Sequence, residues 1–267
     1  SMAHSYESSQ IEKDVFTVIT NFSWCLCLVM LLWPNFTSAE KYDGPYQLGV
    51  ADREGIGKIY MGRQISHVMG HRGASWLERA DREEQERTDL VIARLPLAAN
   101  AVVADIGAGT GYFSFPVAKR VPKGRVLAVD IQQEMLNIVE KRKVRESVNN
   151  IQSVLGSVMD PNLEKGTIDL AFIIDAYHEF SHPLEMSQAI YAALKPGGKL
   201  VLIEYRAEDP LVPIKRLHKM TQRQARKEMQ AVGFRWESTG DFLPQQHFMV
   251  FVKPLAIIDH HAALEYL

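Results

Sequence analysis

The sequence predicts an α/β domain in which a mostly parallel sheet carries helices on both faces. Three observations predict it. From Ala101 to about residue 204, short apolar runs alternate with longer amphipathic ones. The first of those runs passes through a glycine-rich turn into a helix. After residue 233, Phe234 to Thr239 and Phe248 to Lys253 read as a closing pair of strands.

The first 39 residues stand apart. From Val15 to Trp33 the chain is mostly apolar, Pro34 breaks the run, and Thr37-Ser38-Ala39 supplies small residues before Glu40. This is the pattern of a secretory signal peptide cleaved after Ala39, and the expectation is export to a periplasmic or secreted location. The alternative is an uncleaved anchor, since about 20 apolar residues span a bilayer. Glu7, Glu12 and Asp14 against Lys13 depart from the positive leader of a signal peptide. Both cysteines, Cys25 and Cys27, lie in this run. A disulfide framework, a thiolate zinc site and a cysteine nucleophile are therefore excluded from the rest of the chain.

Residues 40–95 are expected to form a helical extension or lid, with turns at Gly44-Pro45 and Gly55/Gly57. A charge-rich helix from Ser75 to Leu95 stops at Pro96. The main domain is expected at 96–253, followed by a tail at 254–267. Its strand candidates are 101–106, 125–130, 151–155, 168–174 and 198–204. Its helix candidates are 111–121, 131–147 and 182–194. A helix at 221–232 and strands at 234–239 and 248–253 complete it.

Among 267 residues, 46% are hydrophobic and 23% charged, with a formal net charge of −2. Setting aside the first 39 residues leaves acids and bases equal in number. A neutral body lacks the cationic surface that phosphate binding demands, so no nucleic-acid partner is expected. The basic clusters Lys141-Arg142-Lys143 and Arg223/Arg226/Lys227 have acids beside them and read as solvated helix faces.

The strongest site is Ala101-Val-Val-Ala-Asp105-Ile-Gly107-Ala-Gly109-Thr-Gly111-Tyr112. Glycines in a strand-to-helix turn allow positive φ and let a ligand approach the backbone. Nicotinamide-binding proteins want a glycine where Tyr112 stands, to seat a pyrophosphate on the helix. Asp130 ends the next strand, Val126-Leu-Ala-Val-Asp130, where a carboxylate can accept both hydroxyls of a ribose.

DIGAGTG at 105–111, VD at 129–130 and LKPGGKLVLIEY at 194–205 together resemble class I S-adenosylmethionine-dependent methyltransferases, over roughly residues 96–253. The resemblance implies a three-layer sandwich whose seven-stranded sheet has its last strand antiparallel. It implies S-adenosylmethionine as cofactor, with Asp105, Gly107, Gly109 and Gly111 bordering the methionine moiety and Asp130 on the ribose. The family often places an acid directly after the glycine that follows the third strand. Here Gly156 is followed by Ser157, so Ser157 or Asp160 is left to meet the adenine amine.

After the fourth strand comes Asp175-Ala-Tyr177-His178-Glu179-Phe180-Ser181-His182-Pro183. Ligands of open α/β sheets bind at the carboxyl ends of strands, and this segment sits at such an end. Tyr177, His178 and Glu179 are the catalytic candidates, with His178 a possible general base and Asp175 counted with the cofactor. His182 is read as a helix-start residue. The Tyr60-Met-Gly62-Arg63 segment is expected to cover the cofactor, with Arg63 as partner for its carboxylate. His67 and His71 are four apart, as a helical metal pair would be, and could converge with His178, His218 and His247. Gly70 weakens that helix and HExxH is absent, so no metal is assigned.

The expected activity is methyl transfer to a small-molecule acceptor by in-line displacement. The alternatives are a nicotinamide-dependent oxidoreductase and a non-catalytic module that keeps the cofactor fold.

Overall fold

The computed structural model describes residues 41–255. The signal-peptide or anchor expectation for 1–39 lies outside the described residues, as does most of the tail. Among the described residues, no helix is long and apolar enough to cross a membrane.

The main sheet has seven strands. They are β5 (Val102–Ile106), β6 (Arg125–Asp130), β7 (Ile151–Leu155), β8 (Ile168–Ile174), β9 (Leu194–Tyr205), β10 (Arg235–Gly240) and β11 (Gln246–Val252). Their order is β10-β11-β9-β8-β5-β6-β7, and only β11 runs against the rest. The order reverses at β5, which has β6 on one side and β8 on the other. That reversal opens a crevice at the carboxyl ends of β5 and β8.

Strand residues alternate between two apolar cores, as the period of two requires. Val103, Phe172, Val201 and Ile203 face α3 (Thr88–Arg94), α4 (Ser114–Arg120) and α5 (Gln133–Glu146). Ala104, Ala171, Ile173, Leu200 and Leu202 face α6 (Pro183–Ala193) and α7 (Gln222–Val232). Helices on both faces make the expected three layers.

The helical reading of 40–95 is corrected. Its first half is a four-stranded antiparallel sheet: β1 (Lys41–Asp43), β2 (Tyr46–Leu48), β3 (Gly55–Tyr60) and β4 (Arg63–Ser66). Turns cut this stretch into strand-length pieces too short for a helix. Met61 (φ 48°) and Gly62 (φ 98°) both take positive φ, as a two-residue hairpin turn needs. The second half is helical but broken into α1 (Ala74–Leu77), α2 (Arg82–Glu86) and α3. Arg87, left-handed at φ 52°, separates the last two.

Candidate cofactor cleft and acceptor chamber

The floor of the crevice is the turn after β5. The Gly107 and Ala108 N–H groups donate to the carbonyl of Val129, both at 2.9 Å. The Gly109 N–H donates to Asp130 Oδ2 at 2.9 Å, and the Gln132 N–H to Asp130 Oδ1 at 2.8 Å. Asp130 therefore pins the loop, with a second lone pair on each oxygen left for a ligand. Burial raises its pKa, opposed by those N–H bonds. Gly109 takes φ 55°, a conformation strained for a residue with a side chain, and a Cβ there would also push the Leu77 Cδ1 methyl, 2.7 Å away, aside.

Above this floor lies a cleft of about 800 Å³, counting its open mouth. Gly107, Gly109, Asp130, Asp175 and Glu179 line it, as do the apolar Ile131, Met135 and Val158. Among the described residues, its lining holds three carboxyl groups and no lysine, arginine or histidine. Gly111 is not at its surface; at φ 80° it packs against Phe115 and Val139 and shapes the turn from behind. Asp105 also departs from expectation. The alternation of β5 turns its side chain into the core, where it accepts from Ser114 Oγ at 2.6 Å. Burial pushes its pKa up to about 7; the Ser114 bond opposes and the Asp130 charge adds. Ser157 likewise does not reach the cleft. Its hydroxyl accepts from the N–H groups of Met159 (3.2 Å) and Asp160 (3.0 Å), folding the loop that puts Val158 there instead.

A second chamber adjoins the first, sharing Val68, Met69, Leu77, Asp175 and Glu179 as a common wall. Its remaining lining includes Trp76, Pro213 and Ile214, together with His67, His178, His218 and Tyr205. Asp175 stands at the junction in a strained left-handed conformation, φ 49°. Its Oδ2 accepts from Gln246 Nε2 at 2.7 Å, while Oδ1 is buried without a partner among the described residues. Burial first, then the charges of Glu86 and Glu204, hold its carboxyl well above the usual range.

His178 and Glu179 both face this chamber. The His178 Nδ1 lies 2.6 Å from Glu204 Oε2, and its Nε2 lies 3.1 Å from His218 Nδ1. Burial disfavours the imidazolium, but the Glu204 carboxylate outweighs it and raises the His178 pKa. His218 is pushed down to about 4 by burial and then by the His178 charge. Glu179 is raised by burial, against the nearby His178. Tyr177 is corrected: it is fully buried, points away from both chambers and donates its hydroxyl to Glu228 Oε2 at 2.8 Å.

Arg63 is corrected too. Its guanidinium grips the buried Glu228 with Nε–Oε1 at 2.6 Å and Nη2–Oε2 at 3.0 Å, so it is committed to the core and not to a ligand. The histidines divide. His67 follows β4 in an irregular segment and His71 opens a single 3₁₀ turn, so no helix puts them on one face. His247 pairs with Glu208 at 2.7 Å, outside the chamber lining. His182 precedes Pro183 at the start of α6, as expected of a helix-start residue. His178 and His218 do converge, with Glu179 beside them.

Two participants escaped sequence reasoning. Glu204 sits within the apolar strand Leu200-Val-Leu-Ile-Glu204-Tyr205, and a carboxylate in such a strand was itself a signal of a buried partner. Glu86 lines the chamber with Arg82, which reaches it at 3.0 Å, and with Tyr205, which donates to it at 2.7 Å. Arg82 and Glu86 stand at the i,i+4 spacing of a helical ion pair, but only the fold brings Tyr205 to them.

Residues 103–198 match the family described as a methyltransferase domain. An uncharacterized methyltransferase-like protein of Schizosaccharomyces pombe is 29% identical over 149 residues, 56% of each chain. A demethylmenaquinone methyltransferase of Lactococcus lactis is 32% identical over 113 residues, 42% of this chain and 44% of its own. The chain thus spans about half the length of the curated relatives it matches. The fold is that of a solved SAM-dependent methyltransferase from Aquifex aeolicus. That structure superimposes with a TM-score of 0.66 at 20% identity, covering 70% of this chain and 100% of the other.

Proposed function

We propose that this chain transfers a methyl group from S-adenosylmethionine to a small-molecule acceptor. The observation that carries the reading is the chemistry of the cleft lining: Asp130, Asp175 and Glu179 offer it carboxyl oxygens, and no basic side chain is among the described residues that line it. That lining suits a ligand bearing an ammonium and a sulfonium. It does not suit a dinucleotide, whose pyrophosphate would meet carboxylates and find Tyr112 where a close-packing glycine is needed. Asp130 would accept the ribose hydroxyls, and Ile131, Met135 and Val158 would pack on the adenine. The glycine turn and Asp175 fall to the amino-acid end.

When bound, the cofactor supplies an electrophilic methyl on a sulfonium. The chain's own work is positioning and exclusion of water. The shared wall of Met69, Leu77, Asp175 and Glu179 brings an acceptor in the second chamber against the first. Trp76, Pro213 and Ile214 favour a flat, apolar acceptor. Relatives named for methylating demethylmenaquinone agree with that class. His178, oriented by Glu204, would receive a proton at Nε2 from an acceptor that ionises. This equipped second chamber favours an enzyme over a module that only binds the cofactor.

Calorimetry tests the reading. S-adenosylhomocysteine should bind with measurable heat, and NAD should give none. Equal or tighter NAD binding would overturn it.

A further inference from the structure

We infer that His178, Glu179 and His218 form a binding site for one divalent transition-metal ion of the zinc class in the wall of the acceptor chamber. The three ligand atoms make a compact triangle. His178 Nε2 lies 3.1 Å from His218 Nδ1, and Glu179 Oε1 lies 3.8 Å from each of them. Ligand atoms about 2.0–2.1 Å from a zinc ion stand roughly 3–3.5 Å apart, so the triangle closes on an ion with small side-chain adjustments.

The surroundings fix two of the three donors, His178 and Glu179, in the orientation a metal would need. His178 turns Nδ1 to Glu204 Oε2 at 2.6 Å, the carboxylate–histidine support that sets the tautomer and frees Nε2 as a ligand. Glu204 is itself immobilised, accepting from the Tyr177 N–H at 2.8 Å and the His178 N–H at 3.3 Å. Glu179 spends Oε2 on the Met69 N–H at 3.1 Å and leaves Oε1 toward the two imidazoles. The carboxylates of Glu179 and Glu204 together balance a doubly charged ion. Two imidazoles and one carboxylate select zinc, cobalt or iron(II) over magnesium or calcium, which take oxygen ligands.

Three protein ligands leave positions open, and His178, Glu179 and His218 all line the chamber. The ligand class is then an acceptor with a hydroxyl or phenolic oxygen. On the ion that oxygen loses its proton to solvent, and its lone pair forms the new bond to the methyl carbon as the carbon–sulfur bond breaks. With the ion in place, Nε2 of His178 holds metal instead of a proton. The inference borrows its acceptor class from the methyltransferase reading, but the ion site rests on geometry alone.

The experiment uses the full chain, stripped with chelator and titrated with cobalt(II) and zinc. Visible d–d absorption reports cobalt, and mass spectrometry of the metal gives zinc per chain. One zinc per chain and cobalt bands typical of mixed nitrogen–oxygen ligation are expected. His218→Ala and Glu179→Gln should each weaken binding at least tenfold, while His71→Ala, exposed and away from the triangle, should leave it unchanged. Glu204→Gln should weaken it by roughly 10–100-fold, as loss of outer-shell support does. Absent bands, or equal binding in His218→Ala, would overturn the site. S-adenosylhomocysteine calorimetry on the same samples separates the two readings. Cofactor binding without metal sinks the ion site alone, and metal without cofactor sinks the methyltransferase reading alone.

Discussion

Glu204 and His178, 26 positions apart in sequence, meet through a 2.6 Å contact between carboxylate and imidazole at the back of the acceptor chamber. Neither is exposed: the carboxylate is wholly buried and the imidazole opens only toward the chamber. The pair commits His178 to one orientation, with Nε2 as its working atom.

In protein stripped of metal, His178→Asn should therefore lower turnover by about 10²–10⁴-fold with an acceptor that must lose a proton, the usual contribution of a positioned base. Cofactor affinity should stay as in the wild type, because His178 lines the acceptor chamber and not the cleft. Single-turnover assays with a screened acceptor, paired with calorimetry, check both halves. A fall in cofactor affinity would mean that the imidazole only shapes the wall.

Asp130→Ala should weaken S-adenosylhomocysteine binding by two routes. It removes acceptors for the ribose, each worth about 1.5–3 kcal/mol before water compensates. It also releases the Gly109 and Gln132 N–H groups that hold the loop in place. Unchanged affinity by calorimetry would take Asp130 out of the site.

Arg63 clamps the β3–β4 hairpin onto α7 through Glu228, which is fully buried. Arg63→Met leaves that carboxylate without its cation and should cost about 3–5 kcal/mol, read from urea unfolding. Adding Glu228→Gln should restore much of the loss, because it removes the stranded charge while keeping a partner for the Tyr177 hydroxyl. No recovery in the double variant would show that the clamp works by packing alone.

What was legible in the sequence is what is local. β5, β6, β8, β9 and β11 each carry a short apolar run, so they could be read in place. The glycine turn could be read because its backbone demands are written within seven residues. The 175–183 segment could be placed because a strand end is local too. Which of its side chains faces the chamber could not: Tyr177 and His178 are adjacent, and one points into the core while the other lines the wall. Arg63 was assigned to a ligand because its true partner, Glu228, lies 165 positions away. His218 joins His178 only through the fold. The sheet at 41–66 was missed because its strands are three to six residues long, too short for alternation to outweigh a helical reading.

Asp105 supplies the pH test. Its carboxyl is buried against Ser114 and has a pKa of about 7, against an ordinary value of 3.8. A group whose pKa is higher in the folded chain binds more protons there than in the unfolded one, so folding stability falls as pH rises between the two values. The stabilisation is complete below about pH 4, declines through pH 5 and 6, and is gone above about pH 7. Asp105→Asn keeps an oxygen to accept from Ser114 Oγ but cannot ionise. Its unfolding free energy should decline less than that of the wild type across this window. At pH 8 the variant should be the more stable of the two, since it buries no charge. Urea unfolding of the cofactor-free protein at intervals from pH 4 to pH 8 reads both. Parallel curves for the two proteins would mean that Asp105 stays ionised in the fold. The acid of the glycine motif would then be a solvated cleft residue after all.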